Sequence, residues 1–179
     1  MKPEQKDIAG WAARAGKTER IAEFQYPFID GLYVQIAYGS RFVLNQIRQL
    51  AAEPYTDRRT RTREEKLDDE KLQLGYAERI VKGWRDLTVG MLDRLIPGTI
   101  DEAVAQYEEE AKKNSDFKVP SLTEIAETIV EYSIPTAASI LGNSIDFMNW
   151  VVDTAGDSNR YSGVAVQKQE DKELENLKK

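Results

Sequence analysis

Leu72, Tyr76, Ile80 and Trp84 recur at every fourth residue, with Ala77 and Val81 beside them. Side chains four apart on a helix stand one above another, so this stripe calls for a helix with one apolar face turned toward a core. The spacing predicts a long amphipathic helix from about Glu65 to Leu87, the strongest helical signal in the chain. Met91, Leu92, Leu95 and Ile96 extend the apolar content until Pro97-Gly98 breaks it.

The chain on either side is patterned more weakly. Upstream, Phe24, Tyr26 and Phe28, then Leu32, Val34 and Ile36, alternate at the strand period of two. Asp30-Gly31 between them is a hairpin turn signal, because glycine accepts the positive φ such turns require. Pro27 has no amide hydrogen to give to a ladder, which makes the first strand an edge. Ser40 offers an N-cap oxygen to a helix with Val43, Ile47 and Leu50 on one stripe, ending before Pro54.

Downstream, Ala103, Val104, Tyr107 and Ala111 predict a helix from Ile100 to about Asn114, with Glu108, Glu109 and Glu110 on its solvated side. Ser121 and Glu124 form a capping box ahead of a stripe of Ile125, Ile129 and Val130. Pro135 ends that helix or begins another. Leu141, Ile145, Met148 and Val152 predict the last helix, closed at Ala155-Gly156-Asp157. The expected fold is mainly α: an N-terminal β-hairpin followed by a bundle of about five helices. Of the 179 residues, 1–22 read as a flexible arm, 23–157 as a single mainly helical domain, and 158–179 as a solvated, charged tail.

Composition narrows the chemistry. The chain has neither cysteine nor histidine. Thiolate metal sites, cysteine nucleophiles and imidazole general bases are therefore closed to it, and the expectation is a protein that is not an enzyme and takes no cofactor or metal. No apolar run approaches the roughly 18 residues of a membrane span, and the N-terminus lacks a signal core, so a cytoplasmic location is expected. A formal net charge of −6 gives a field that repels a phosphate backbone.

Several short motifs invite chemistry and fail on spacing. Gly16-Lys17-Thr18 ends like a phosphate-binding loop, but the preceding glycine is Gly10, one residue too far, and no apolar strand leads into it. Asp68-Asp69-Glu70 and Glu108-Glu109-Glu110 hold oxygen ligands at adjacent positions, which splay about 100° apart on a helix and read as solvated faces. Gly156-Asp157-Ser158 has no histidine to activate its hydroxyl.

Contact surfaces remain. Arg58, Arg59, Arg61 and Arg63 lie in an exposed loop without interleaved aromatics. They read as electrostatic docking residues that partly offset the acidic body. Trp84 belongs to the core stripe. Trp11 has no core position and is a candidate anchor for a partner groove. Phe147, Met148 and Trp150 crowd one helix, so at least one must leave the buried stripe. With Phe28 and Tyr33 on the hairpin, Phe147 and Trp150 complete the candidate partner-binding set.

The order Phe24 to Tyr26, Ile29-Asp30-Gly31-Leu32-Tyr33-Val34 and Tyr38-Gly39-Ser40-Arg41 resembles the start of tail assembly chaperones of long-tailed bacteriophages. Glu65 to Lys71, Tyr76-Ala77-Glu78 and Ile80-Val81-Lys82-Gly83-Trp84-Arg85-Asp86-Leu87-Thr88 continue the likeness, as does Val119-Pro120-Ser121 opening a helix. It spans roughly residues 23 to 153; where that family often has a glycine after Gly-Trp, Arg85-Asp86 stands here. The resemblance implies a protein of the host cytoplasm that binds the tape measure protein and recruits tail tube subunits; lining a long rod-like client would in turn favour a homo-oligomer. The alternatives are a phage regulatory or nucleic-acid-associated protein using the Arg58 to Arg63 loop, or a structural component of the virion.

Overall fold

A computed structural model describes residues 20–56, 63–114 and 117–162. The expected hairpin is present. β1 (Ile21–Gln25) pairs antiparallel with β2 (Tyr33–Ala37), Ile21 opposite Ala37 and Gln25 opposite Tyr33. β1 is an edge strand, but Pro27 lies beyond its end. The link is a seven-residue loop rather than a two-residue turn, closed where the Tyr26 amide donates to the Leu32 carbonyl at 2.9 Å. Ile29 and Leu32 are buried by that loop, which is why it is wide, and Gly31 sits at φ +81 within it.

α1 (Arg41–Ala51) starts at Ser40, whose hydroxyl accepts from the Val43 amide at 3.4 Å. Ile47 is buried on its inner face, whereas Leu50, expected on the same stripe, is 64% exposed. The chain then runs through a two-stranded ribbon, β3 (Ala52–Thr56) with β4 (Arg63–Leu67), into α2 (Asp69–Arg79).

The long helix expected from Glu65 to Leu87 is thus a strand, a helix and a second strand. At its front, the Asp68 carboxylate accepts from the Lys71 amide at 3.1 Å and fixes the helix start. At its rear, β5 (Val81–Arg85) leaves the helix and joins the free side of β2, giving the order β1-β2-β5. Gly83 is a poor helix residue, and Val81 and Trp84 favour a pleated surface. Val81 and Gly83 are buried while Lys82 and Trp84 are half-buried, an alternation of two that the fourfold stripe hid. The ladder compensates the backbone: Ala37 donates to the Ile80 carbonyl at 2.8 Å.

After the sheet come α3 (Val89–Leu95), α4 (Thr99–Lys113), α5 (Leu122–Glu127), α6 (Ile134–Asn143) and α7 (Ile145–Gly156). The capping box forms, with Glu124 accepting from the Ser121 amide at 2.7 Å. Its helix is short, and Ile129, expected to be buried, is 66% exposed. Pro135 stands in the first turn of α6. The predicted last stripe crosses a helix break at Ser144. Leu141 belongs to α6, Ile145 is 73% exposed, and the buried positions of α7 are Phe147, Val151 and Ala155.

The architecture is mainly α with an N-terminal hairpin, and seven helices of six residues or more among the described residues exceed the five expected. Val34 and Ile36 of β2, Tyr76 of α2 and Ile80 at its C-cap, Ile140 and Leu141 of α6, and Phe147 and Val151 of α7 meet in one core. The packed body reaches Ile21 at one end and Tyr161 at the other.

Candidate interaction surface

The loop from Tyr26 to Leu32 places aromatic rings against the first turns of α7. Tyr26, 3% exposed, is the hub. Its ring meets Phe147 edge-on with centroids 5.3 Å apart, Trp150 at 5.0 Å and Phe28 at 5.4 Å. Phe147 and Trp150 touch in turn at 5.8 Å. Edge-to-face pairs at these separations add to the burial of the rings and hold the loop on the helix.

Phe28 is the outer member of the cluster and is 66% exposed. Its neighbour Pro27 fixes the backbone, and its carbonyl accepts from Arg94 Nη2 of α3 at 3.2 Å. Trp150, packed on the same Tyr26 ring, is half-buried. Burial raises the pKa of the Tyr26 phenol, and the Asp146 carboxylate nearby raises it further.

Of the five candidate anchors, the structure therefore gathers three, Phe28, Phe147 and Trp150, around a fourth ring. Phe147 is a correction: at 2% exposure it is a core residue and cannot meet a partner directly. None of Phe147, Met148 and Trp150 is exposed, because the helix turns Ile145, Asp146 and Asn149 outward instead. Tyr33 lies apart, on the sheet face opposite Val34 and Ile36, where the Arg85 guanidinium sits 4.4 Å above its ring and bonds Glu23 at 3.1 Å. Trp11, Arg58, Arg59 and Arg61, together with the Gly16-Lys17-Thr18 motif, lie outside the described residues, and Arg63 is described only as backbone of β4.

The sequence pattern does not single out Tyr26 as the organiser of this cluster; Pro27 directly after it, beyond the end of β1, is the signal it offers. A second concavity was also missed. Between α1 and α2, Ile47, Leu50, Leu74 and Gly75 line a shallow groove of about 190 Å³ with Lys71 and Arg79 at its rim. Lys71 is engaged by Glu53 and Asp68, and Arg79 by Gln46 at 2.8 Å.

The remaining shifted groups have structural causes. Asp68 and Glu124 are held below the usual carboxylate range chiefly by the backbone amides that they cap, and Lys71 is raised by its bond to Glu53. Among the described residues, no three carboxylates converge as a metal site. No described helix is long and apolar enough to cross a membrane. Set against family models, curated proteins and solved structures, the chain matches none of them. What the geometry defines is an aromatic cluster with one exposed ring on a mainly helical protein.

Proposed function

We propose that this chain is a protein-binding chaperone of the phage tail assembly type, which acts by covering an apolar segment of a client rather than by making or breaking bonds. The observation that carries the reading is Phe28, two-thirds exposed at the rim of a four-ring cluster whose inner members are fixed in the core. A large ring held rigidly in water is poor for a free monomer and well suited to a contact anchor, since pre-ordered aromatics dominate binding hot spots. The resemblance of Ile29 to Val34 and of Ile80 to Thr88 to the tail chaperones supplies the client: the long helical tape measure protein, with tail tube subunits recruited onto the complex. The absence of histidine and cysteine is in keeping with work done by contact.

The test is coexpression with the tape measure protein of the same phage. A soluble client with the wild-type chain and an insoluble one with Phe28→Asp is the expected result. A client equally soluble with no chaperone present would sink the proposal.

A further inference from the structure

From the charges around the aromatic face, we infer that its occupant is a basic amphipathic helix, one whose apolar stripe covers Phe28 and Trp150 while lysines or arginines meet Asp30, Asp146 and Asp153. This inference rests on the docking reading above and adds the chemistry of the partner.

α7 contains two carboxylates, Asp146 and Asp153, and no basic residue, and α6 contains no charged residue at all. Both aspartates are exposed: Asp153 continues the row of Ile145 and Asn149 at spacings of four, and Asp146 lies next to Ile145, about 100° round the helix axis. Asp30 is exposed two residues from Phe28 in the same loop. Lys71, Arg85, Lys113 and Arg160 make salt bridges elsewhere, but none reaches these three aspartates among the described residues. Two described cations reach this loop or helix and both have partners: Arg94 donates to the Phe28 carbonyl, and Arg160 bonds Thr154 of α7 and pairs with Asp157. Among the described residues, three exposed carboxylates thus stand against two guanidiniums that already have partners.

Asp146 also lies near enough to the hub for its charge to act on the Tyr26 phenol, which places that one carboxylate beside the rings. An apolar centre bounded by one sign of charge selects for the opposite sign in the partner and rejects its own. An apolar stripe with cations beside it is the helix-in-groove mode of recognition.

The probe is a labelled synthetic helix with leucines on one face and lysines on the other, compared by fluorescence anisotropy with the same helix carrying glutamates. The wild-type chain should bind the lysine helix and leave the glutamate helix free. Combining Asp30→Asn, Asp146→Asn and Asp153→Asn should weaken that binding by about fivefold to tenfold, the scale of a few partly screened charge pairs. Changing Glu108, Glu109 and Glu110 of α4 to glutamine removes the same charge elsewhere and should cost less than about twofold. Equal losses from the two triple variants, or equal affinity for both helices, would overturn the inference. Failure here with client solubility still dependent on Phe28 overturns the partner chemistry alone, whereas loss of that dependence overturns the docking reading beneath it.

Discussion

Trp84 Nε1 donates a hydrogen bond to the Val130 carbonyl at 2.7 Å across 46 positions of sequence. It joins β5 to an extended segment that has left α5. The Val130 amide donates to the Leu87 carbonyl at 2.8 Å, and the Val89 amide to the Thr128 carbonyl at 2.9 Å. Tyr132 completes the seam, edge-on to Trp84 with centroids 4.9 Å apart and its hydroxyl on the Val81 carbonyl at 2.7 Å. The sheet is thus tied to the later helices by two side chains on main-chain oxygens, and α7 is carried on the frame they hold.

Trp84→Phe keeps a ring in the seam and leaves the Val130 carbonyl without that donor. The expected loss is about 1–2 kcal/mol of unfolding free energy, read from urea denaturation. Tyr132→Phe should cost about 1 kcal/mol by the same reasoning. Because the two rings touch, the double variant should depart from additivity by about 0.5 kcal/mol or more. Strict additivity would show that the seam is two separate contacts.

Local signals were legible where a single residue decides the backbone. Ser40 at the start of α1, the Ser121 capping box, Pro135 at the head of α6 and the stop at Gly156 all lie where the sequence places them. The Leu72 to Trp84 stripe misled because spacings of four and two coincide at every fourth residue. Tyr76 and Ile80 follow the helical rule, while Trp84 sits on a strand whose pairing with β2 lies 50 positions away in sequence, Val34 opposite Trp84. Pairing at that range has no local signature. The phase of α7 failed for the opposite reason, since Ser144 interrupts a run that remains apolar on both sides. At the contact face, the aromatic residues were visible in the sequence but their hub was not, because Tyr26 acquires its neighbours only when the loop folds onto α7.

Asp93 controls the corner between α3 and α4. Its Oδ1 accepts from the Gly98 and Ile100 amides, each at 3.0 Å, and supplies the cap that Gly98 lacks. Asp93→Ala should cost about 1 kcal/mol, with faster hydrogen exchange over the first turn of α4. Gly98→Ala should cost about 1–2 kcal/mol for another reason: φ is +95 there, and a Cβ would meet nothing within 4 Å, so the loss is backbone strain alone. Unchanged exchange in Asp93→Ala would place the corner's stability elsewhere.

Asp86 is the residue other than glycine that adopts positive φ among the described residues, at 58°. It follows Gly83-Trp84-Arg85 at the end of β5. Left-handed backbone costs an ordinary residue about 1–2 kcal/mol, and Asp bears it better than most. Asp86→Gly relieves that strain but frees the unfolded chain, so stability should move by less than about 0.5 kcal/mol. Asp86→Val should lose about 1–2 kcal/mol, because a β-branched side chain tolerates this region worst. Thermal unfolding of the pair separates the two cases, and a valine variant as stable as the glycine one would remove the strain argument.

Burial raises the phenol pKa of Tyr26, Tyr132 and Tyr161 above the ordinary value of 10.0. The folded chain favours the neutral form, so the unfolded chain ionises first as pH rises. The stability tied to these groups is fully present below pH 10 and is lost as pH climbs through the folded values. Tyr161 is the sharpest case. Fully buried, its ring packs on Phe24 at 5.3 Å and on Tyr38 at 5.4 Å, while its hydroxyl has no hydrogen-bond partner among the described residues. Tyr161→Phe keeps the packing and removes an unsatisfied polar atom, so it should leave neutral-pH stability unchanged or raise it by up to about 1 kcal/mol. It should also flatten the alkaline decline relative to the wild type, in urea midpoints taken from about pH 8 to about pH 11. Lysine deprotonation adds to the decline in both chains, so the difference between them isolates the phenol. A variant that loses stability at neutral pH would mean that the hydroxyl has a partner after all.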